Sequence, residues 1–528
     1  MNAAGLLQHY EQIADAPDAV EQLRKFVYDL AVSGKLTPFR RRESDVHELG
    51  KLAEFIMGQA PPGSSCNENG VGAIFVKVGE FGERFPRKVV WTTAPLKFAK
   101  QGDVLICVVG ATIGKLNLAI DCSIGRSVAA IRPSKNLDQV FLFNSLMPVL
   151  VRLREGSRGS AQGVISRPDL AAIALWLPPL AEQHRIVAKV AELMVLCDQL
   201  EVARSAREAA RDGLTAASLA RLNAPDPETF VDDVRFALNA LTALTARPDQ
   251  INHLRHTILG LAMSGKLVPQ DDGDESASAL LARGVRLPDG YERRRKVLKE
   301  RPVFPLVERF APIPKTWTYA DIQTLYDLNA VIDYADGNHG ALYPRSSEFG
   351  DDGITFVTAK DLAGGRVGWT GCARLNEVHA RKLSKGWARG GDVLLTHNAT
   401  VGRVARVEPS VGPFLLGTSV TFYRLNSSIL DAGFFYYMLT STLWQDQLKA
   451  IMAQTTRNQV SIQKQAYFRV AIPPIAEQLR IVQRLDEVMA LCDRLESSLS
   501  FGAEHRARML EALLHRALRP AEALEQPA

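Results

Sequence analysis

Apolar residues recur with heptad spacing in two segments of the chain. Their successive spacings are 4, 3, 4 and 3, at Ile186, Val190, Leu193, Cys197 and Leu200, and again at Ile481, Leu485, Val488, Cys492 and Leu495. This is the a/d pattern of a coiled coil. Pro178-Pro179 and Pro473-Pro474 precede the two segments, and Glu182 or Glu477 falls in the first turn, where the helix dipole favours an acid. The pattern predicts two long helices, and the alternative of a helix packed on its own domain stays open.

The same segments belong to a long internal repeat. The sequence P-P-[LI]-A-E-Q-x-R-I-V begins at Pro178 and again at Pro473, and M-x-L-C-D-x-L-E begins at Met194 and at Met489. A second repeat, L-A-x-S-G-K-L-x-P, covers residues 30–38 and 261–269 with a different offset. The order is therefore helix, block, helix, helix, block, helix, which predicts two similar halves related by a pseudo-twofold axis, with one helix displaced to the C-terminal end.

The two blocks between the repeats match only loosely. They share three short motifs, which are G-D-V-L beginning at Gly102 and Gly391, A-T-x-G-[KR] beginning at Ala111 and Ala399, and G-x-S-V beginning at Gly125 and Gly417. Residues 104–109 and 354–357 are typical of strands, whereas residues 66–72 and 333–340 are typical of loops. We predict an α+β protein with two mixed α/β domains joined by long antiparallel coiled-coil helices.

The domain boundaries follow from these patterns. We expect six segments: an N-terminal helical segment (1–38), block 1 (46–178), central helices (179–269), a charged and exposed linker (270–302), block 2 (303–473) and a C-terminal helix (474–518).

Composition narrows the class of protein. The chain has 528 residues, of which 46% are hydrophobic and 23% charged, as in soluble globular proteins. The longest apolar run, residues 104–113, is too short to span a membrane, and no export signal is visible. Six scattered cysteines without ligand spacing favour reduced thiols, so we expect a cytoplasmic protein without a metal site.

Positive charge is concentrated in the two blocks. Residues 46–180 and 303–475 hold 32 Lys and Arg against 24 Asp and Glu, while the rest of the chain holds 31 against 34. This distribution is expected if the blocks face nucleic-acid phosphates and the remainder faces protein.

Sequence motifs that could indicate catalysis are either incomplete or missing. Gly260 to Lys266 resembles a phosphate-binding loop, but Leu267 stands where Mg²⁺ chemistry needs Ser or Thr. We interpret Gly265 and its repeat partner Gly34 as helix C-caps. No Asn/Asp-Pro-Pro-aromatic motif for amino-group methylation occurs, and no dinucleotide fingerprint opens a helix after a strand. We expect a chain that is not catalytic by itself.

With these repeats, the sequence resembles the specificity subunit of type I restriction–modification enzymes. The two helix starts, the two L-A-x-S-G-K-L-x-P segments, the A-T-x-G-[KR] turns and the block endings near Gly163 and Gln459 carry the resemblance across nearly the whole chain. Their order is also the circularly permuted order of that family.

The resemblance implies a function. Each block would be a target-recognition domain that binds one half of a bipartite, asymmetric site in double-stranded DNA, and the helices would set the spacer. Two modification (methyltransferase) subunits would dock on the helices, and restriction and motor subunits would join for cleavage. S-adenosylmethionine, ATP and Mg²⁺ would then belong to the partner subunits, with no cofactor in this chain.

Candidate DNA-contacting residues are basic or amide side chains near the shared turns and block endings. Arg, Asn and Gln can pair with base edges, and Lys suits phosphates. The candidates are Lys77, Lys115, Arg158, Gln162 and Arg167 in block 1, and Arg403, Arg457, Asn458, Gln459 and Lys464 in block 2.

Two other functions stay open. The chain could be a self-sufficient DNA enzyme with an unrecognised nuclease site, or a structural adaptor without sequence preference. DNA cleavage by the pure chain would support the first, and equal protection of random sites by the complex would support the second.

Overall fold

The computed structural model describes most of the chain, in two compact units. It describes residues 15–39, 41–156, 164–223, 228–283, 287, 312–338, 343–453 and 458–518. Unit 1 comprises residues 1–209 and 501–528, and unit 2 comprises residues 210–500. Among the described residues, no helix is both long and apolar enough to cross a membrane.

Unit 1 combines an N-terminal helix with block 1. Its helices are α1 (Ala19–Val32), α2 (Gln139–Gly156), α3 (Arg167–Ala171) and the first part of α4 (Leu180–Asn223). Its strands are β1 (Val46–Glu48), β2 (Ala53–Met57), β3 (Cys66–Asn67), β4 (Ala73–Val76), β5 (Trp91–Thr92), β6 (Phe98–Ala99), β7 (Val104–Cys107), β8 (Leu116–Leu118), β9 (Cys122–Ile124), β10 (Val128–Pro133) and β11 (Ala174–Trp176).

Unit 2 repeats this plan around block 2. Its helices are the end of α4, α5 (Phe230–Asn239), α6 (Leu241–Leu244), α7 (Pro248–Met263), α8 (Ala277–Ala282), α9 (Ile322–Asp327), α10 (Glu377–Ala380), α11 (Ala432–Thr440), α12 (Thr442–Met452), α13 (Ile462–Gln465) and the first part of α14 (Ile475–Leu518), whose residues from Phe501 onward belong to unit 1. Its strands are β12 (Thr318–Asp321), β13 (Val331–Asp336), β14 (Phe349–Gly350), β15 (Ile354–Val357), β16 (Leu362–Ala363), β17 (Arg366–Val367), β18 (Ala373–Leu375), β19 (Trp387–Ala388), β20 (Val393–Thr396), β21 (Val404–Arg406), β22 (Phe414–Leu416), β23 (Val420–Leu425) and β24 (Arg469–Ile472).

The two blocks share the topology of their main sheets, and block 2 adds a two-stranded pairing of β16 with β17. Each contains a four-stranded sheet, in the order β2-β10-β7-β8 or β13-β23-β20-β21, and a five-stranded sheet, in the order β3-β5-β4-β9-β6 or β14-β18-β15-β22-β19. Each also closes with a two-stranded pairing, β1 with β11 or β12 with β24. The predicted mixed helix-and-sheet architecture, with two sheet-containing domains joined by a long helix, is confirmed.

The G-D-V-L repeat holds the four-stranded sheets together by a buried ion pair. Asp103 and Asp392 are almost fully buried at the start of β7 and β20. Arg132 donates two hydrogen bonds to Asp103 at 2.9 and 2.8 Å, and Arg424 donates two to Asp392 at 2.9 and 2.7 Å. A bidentate pair of this kind compensates for the desolvation of the carboxylate.

The P-P-x-A-E-Q repeat fixes each long helix to its block through a buried glutamine. The Gln183 amide donates to the carbonyls of Asn136 and Pro178 and accepts from the amide of Asp138, at 2.8 to 2.9 Å. Gln478 makes the same three contacts with Ile429, Pro473 and Asp431. These residues therefore have a structural role in both halves.

The repeated glutamates lie in the first turn of their helices, as predicted, and they are also buried. Glu182 accepts a hydrogen bond from the Thr37 hydroxyl, and Glu477 accepts from Trp317 and Gln270. Burial raises the pKa of Glu477, although both donors and Arg480 oppose this shift.

The heptad positions at the start of each long helix pack in the core of their own unit, which also contains residues of the repeat helix α1 or α7. Ile186 and Val190 belong to the core of block 1, and Ile481 and Leu485 belong to the core of block 2. The end of α14 packs on α1, through Leu510, Leu513, Leu514 and Phe26. The end of α4 packs beside α5 and α6, through Leu219, Leu222, Ala237 and Leu244.

In each unit, equivalent ion pairs join the helix that carries the L-A-x-S-G-K-L-x-P repeat to the long helix. Arg24 of α1 contacts Asp198 and Glu201 of α4 at 2.6 and 2.7 Å. In unit 2, Arg255 of α7 contacts Asp493 and Glu496 of α14 at 2.5 and 2.9 Å. The internal repeat is therefore a repeat of contacts within each unit.

Three local predictions have clear outcomes. Gly34 and Gly265 end their helices at φ +70° and +71°, and the next amides donate to the carbonyls of Leu30 and Leu261, so the C-caps are confirmed. The loop predicted for 333–340 is wrong where β13 extends to Asp336.

The segment predicted as an exposed linker, 270–302, is exposed at residues 270–273 but forms a packed helix further on. Helix α8 buries Ala277, Leu280 and Leu281 in the core of block 2, and Arg480 contacts Asp274 at 2.7 Å. Charged residues flank this short apolar segment, so the sequence pattern indicated a linker and not a helix. Residues 284–286 and 288–302 lie outside the described residues.

Candidate nucleic-acid interface

Five loops meet at one end of block 1. Backbone hydrogen bonds join Gly58 to Val128, Gln59 to Ile124, Gly125 to Val76, Val108 to Ser127 and Ile165 to Val108, at 2.9 to 3.0 Å. Val109 also bridges to Val164. We call residues 58–59, 77, 108–111, 125–127 and 164–165 rim 1.

Block 2 has the same arrangement. Gly337 bonds to Val420, Asn338 to Leu416, Gly417 to Val357, His397 to Ser419 and Val460 to His397, at 2.8 to 2.9 Å. Asn398 bridges to Gln459, as Val109 does to Val164. We call residues 337–338, 358, 397–399, 417–419 and 458–460 rim 2.

Each rim lies at the end of its sheet that faces away from the junction with the long helix. Rim 1 precedes β10, whereas Asn136 and Asp138, which bind Gln183, follow it. A six-residue strand is about 20 Å long. The rims are therefore free of the helix contacts that occupy the opposite ends.

Residues with positive φ occur in the A-T-x-G turns and directly after the bridging residues. Gly114 and Gly402 have φ of +76° and +95°. Immediately after the bridging residues, Gly110 has φ +78° and Ala399 has φ +60°. The repeated glycines are thus explained by backbone geometry.

Three of the predicted site residues lie in the rims. Lys77 is exposed in rim 1, and Asn458 and Gln459 are exposed in rim 2. The Lys77 ammonium lies 3.9 Å from a Glu80 carboxylate oxygen and over the Phe75 ring.

Four other predicted residues lie beside the rims. Lys115 and Arg403 are exposed at the ends of the A-T-x-G turns, and Arg403 also donates to the carbonyl of Leu362 at 3.3 Å. Arg167 is exposed at the start of α3, and Lys464 is half-buried in α13. Arg158, Gln162 and Arg457 lie outside the described residues.

The helix that follows rim 1 begins with a capping box. Ser166 and Asp169 exchange hydrogen bonds, and the Ser166 hydroxyl and amide lower the pKa of the Asp169 carboxyl. The Asp169 carboxylate therefore caps the start of α3, next to Arg167.

Sequence reasoning missed several groups that lie in the rims or beside them. Gln59, Lys97 and Arg126 surround Lys77, and Asn398 lies beside Gln459. Arg126 and Thr418 occupy the variable position of the shared G-x-S-V motif, so a variable residue inside a repeated motif was an available signal. Gln59 and Lys97 had no such signal, because only strand pairing brings them to the rim.

The rims contain no constellation suited to metal chemistry. Over the described ranges, no three His, Cys, Asp or Glu side chains are placed to hold a metal ion. His397 is buried, and its Nδ1 lies 2.9 Å from the Thr421 hydroxyl. The exposed groups are cations, amides and aliphatic side chains, which suit binding to phosphates and base edges.

Comparisons with known proteins agree with this description. The family model of the type I restriction modification DNA specificity domain matches the chain twice, at residues 42–206 and 344–500, which together exceed half of its length. The first match contains all of rim 1, and the second contains rim 2 except residues 337–338.

Two specificity subunits from Escherichia coli are similar to this chain. The type I restriction enzyme EcoEI specificity subunit is 26% identical over 392 residues, covering 72% of this chain and 64% of the relative. The EcoAI specificity subunit is 23% identical over 348 residues, covering 65% and 57%. The chain thus spans less than two thirds of these relatives.

A solved structure supports the fold. A chain from a study of complex assembly and conformational transition of the type I R-M system aligns with a TM-score of 0.53 and 19% identity, covering 91% of this chain and 99% of that chain. With the two matches to the family model, this chain belongs to the family of type I restriction–modification specificity subunits.

Proposed function

We propose that the chain recognises a bipartite, asymmetric DNA sequence, with rim 1 binding one half-site and rim 2 the other. The observation that carries the proposal is the pair of rims, which share their backbone bonds but differ in their exposed side chains. Because base edges are distinguished by side-chain donors and acceptors, different side chains on one backbone framework bind different sequences.

Exchange of one block tests the proposal. Replacing residues 303–473 with the block of another family member should change one half of the methylated motif and leave the other half and the spacer unchanged. The measurement is the methylome of cells that make the exchanged chain with its modification subunit. A change in both halves would contradict two independent readers, and equal methylation of random sites would favour the adaptor.

The chemistry belongs, in this proposal, to partner subunits that bind S-adenosylmethionine, ATP and Mg²⁺. A modification subunit must reach an adenine inside a duplex, so we expect it to flip the base out of the stack. Pure chain incubated with Mg²⁺, S-adenosylmethionine and mixed DNA should neither cleave nor methylate it. Either activity without partners would overturn the assignment in favour of a self-sufficient enzyme.

We also propose that two modification subunits dock on the long helices, one in each half. Leu196 and Leu491 occupy equivalent positions of the M-x-L-C-D-x-L-E repeat, and their exposed fractions are 48% and 49%. An exposed leucine at the same repeat position in both halves supports equivalent binding sites for two copies of one partner.

Single substitutions test the stoichiometry. Leu196→Ser and Leu491→Ser should each remove one copy of the modification subunit from the purified complex, and the double variant should remove both. Val202→Ser is the control, because Val202 is 70% exposed on the same helix as Leu196 but has Ser497 at the equivalent position. Retention of two copies by the double variant would refute this docking site.

A further inference from the structure

Three basic residues lie at the ends of three neighbouring strands in block 1. Val76 of β4 pairs with Ile124 of β9, so Lys77 lies beside Gly125, next to Arg126. On the other side of β9, the amide of Ile124 donates to the carbonyl of Lys97, which immediately precedes β6. Lys77, Lys97 and Arg126 are all exposed, and we call them the strand-end cations.

Arg126 and Lys97 are available for a ligand. Neither side chain makes a hydrogen bond or an ion pair to any residue within the described ranges. Lys77 lies near the buried carboxylate of Glu80, whose oxygen also accepts a hydrogen bond from the Lys77 amide at 2.7 Å. The central cation is therefore the arginine, with a lysine on each side.

Block 2 replaces all three strand-end cations with uncharged residues. The equivalent residues in the same strand pairing are Thr358, Gly386 and Thr418. The hydroxyl of Thr358 donates to Asp361 at 2.8 Å, and that of Thr418 donates to the carbonyl of Asn338 at 2.7 Å. The cations are therefore a property of block 1 and not of the common fold.

We propose that Arg126 recognises a guanine in the half-site bound by block 1, an inference that rests on the proposed DNA-reading function. The guanidinium fork presents two parallel N–H donors, which match O6 and N7 of guanine in the major groove. Lys77 and Lys97, as point charges on flexible stems, bind the phosphates on either side and place the arginine over the base.

The test compares two substitutions at one position. Arg126→Gln and Arg126→Lys are each produced with the modification subunit, and the methylome of the cells is compared with that of the wild type. Both variants should lose preference for one guanine in one half-site, by about 5- to 150-fold, while the other half-site is unchanged. The lysine variant is informative because it keeps the charge and loses the fork.

Lys135→Gln is the matched control. Lys135 is exposed in the same block, but it follows the far end of β10, away from rim 1. The Lys135→Gln substitution removes one positive charge, as Arg126→Gln does, and should leave the methylated motif intact. Binding of the purified complexes to two duplexes, which differ only at the guanine position of the wild-type motif, gives a second readout in solution.

The outcomes separate this inference from the proposed function. Preserved base preference in Arg126→Lys would overturn it, because a phosphate contact survives that change. An unchanged motif in Arg126→Gln would also overturn it. If the wild-type complex yields no bipartite motif, the proposed function itself fails, whereas a bipartite motif without a guanine in the half-site that follows block 1 refutes only the role of Arg126.

Discussion

Rim 1 and rim 2 have one backbone framework and two different surfaces. In rim 1 and directly beside it the exposed groups are Gln59, the strand-end cations and two valines, Val109 and Val164, whose exposed fractions are 39% and 63%. In rim 2 the threonines and Asn338 bond internally, and the accessible groups at the bridge are the amides of Asn398 and Gln459.

This difference separates residues that build the block from residues that, in our proposal, give it specificity. The repeated Asp, Arg, Gln and Gly residues make the same contacts in both halves, so they specify the fold. The side chains that differ between the two halves include those exposed at the rims. Two halves with dissimilar rims are expected for an asymmetric site, because a palindrome would favour equal ones.

The largest expected effect tests whether the common framework is equally sensitive in both blocks. Arg424→Met should destabilise block 2 by about 3–5 kcal/mol, because it leaves the buried Asp392 carboxylate without its partner. Arg132→Met should cost less, since the Arg132 side chain is 32% exposed against 14% for Arg424 and water can reach its partner more easily. The measurement is hydrogen–deuterium exchange of peptides from each block during urea titration.

Arg389→Met is the control for this pair. Its backbone amide donates to Asp392, but its side chain is exposed, so the variant should unfold like the wild type. Equal losses for Arg132→Met and Arg424→Met would show that side-chain exposure does not control the cost.

The buried glutamines offer a symmetric test of the junctions. Gln183→Leu and Gln478→Leu should each destabilise their unit by about 3 kcal/mol, because each leaves one backbone amide and two carbonyls without a partner. Gln199→Leu, at an exposed position of α4, should change the urea midpoint little. Clearly unequal losses at Gln183 and Gln478 would contradict equivalent junctions.

Much of this fold was predictable from the sequence because the repeat exposes it. Matching the two halves separates shared residues from variable ones, and a long P-P-x-A-E-Q helix or a glycine C-cap has a local signature. The burial of Glu182 and Glu477 was not predictable, because their partners come from distant segments such as Thr37 and Trp317.

The rims were predictable only in part. Gln459 and Lys77 could be selected as polar residues near shared motifs, but the rim itself is made by pairing between strands that are far apart in the chain. Lys97 is brought beside Ile124 by an edge strand of two residues, which has no periodicity to detect. Short strands of this kind explain why residues such as Lys97 could not be selected from the sequence.

A reciprocal exchange at the bridge tests the surfaces with the backbone kept constant. Gln459→Val should reduce base discrimination in one half-site by about 1–3 kcal/mol, because it removes an amide that can pair with adenine. Val164→Gln places that amide on rim 1 and should change preference in the other half-site only. Methylome sequencing measures both, and any effect of Gln459→Val on the half-site bound by block 1 would argue against separate readers.

The smallest expected effect concerns the residue after each bridge, which is Gly110 in block 1 and Ala399 in block 2, where the turn is one residue shorter. Ala399 adopts φ +60° and Gly110 adopts φ +78°, a region in which a side chain is strained. Ala399→Gly should stabilise block 2 by about 1 kcal/mol, and Gly110→Ala should destabilise block 1 by a similar amount. No described atom lies within 4 Å of a Cβ at Gly110, so the cost there is backbone strain alone. Urea midpoints that shift in opposite directions would show that both rims need the same left-handed turn, and a midpoint unchanged by Gly110→Ala would show that rim 1 can dispense with it.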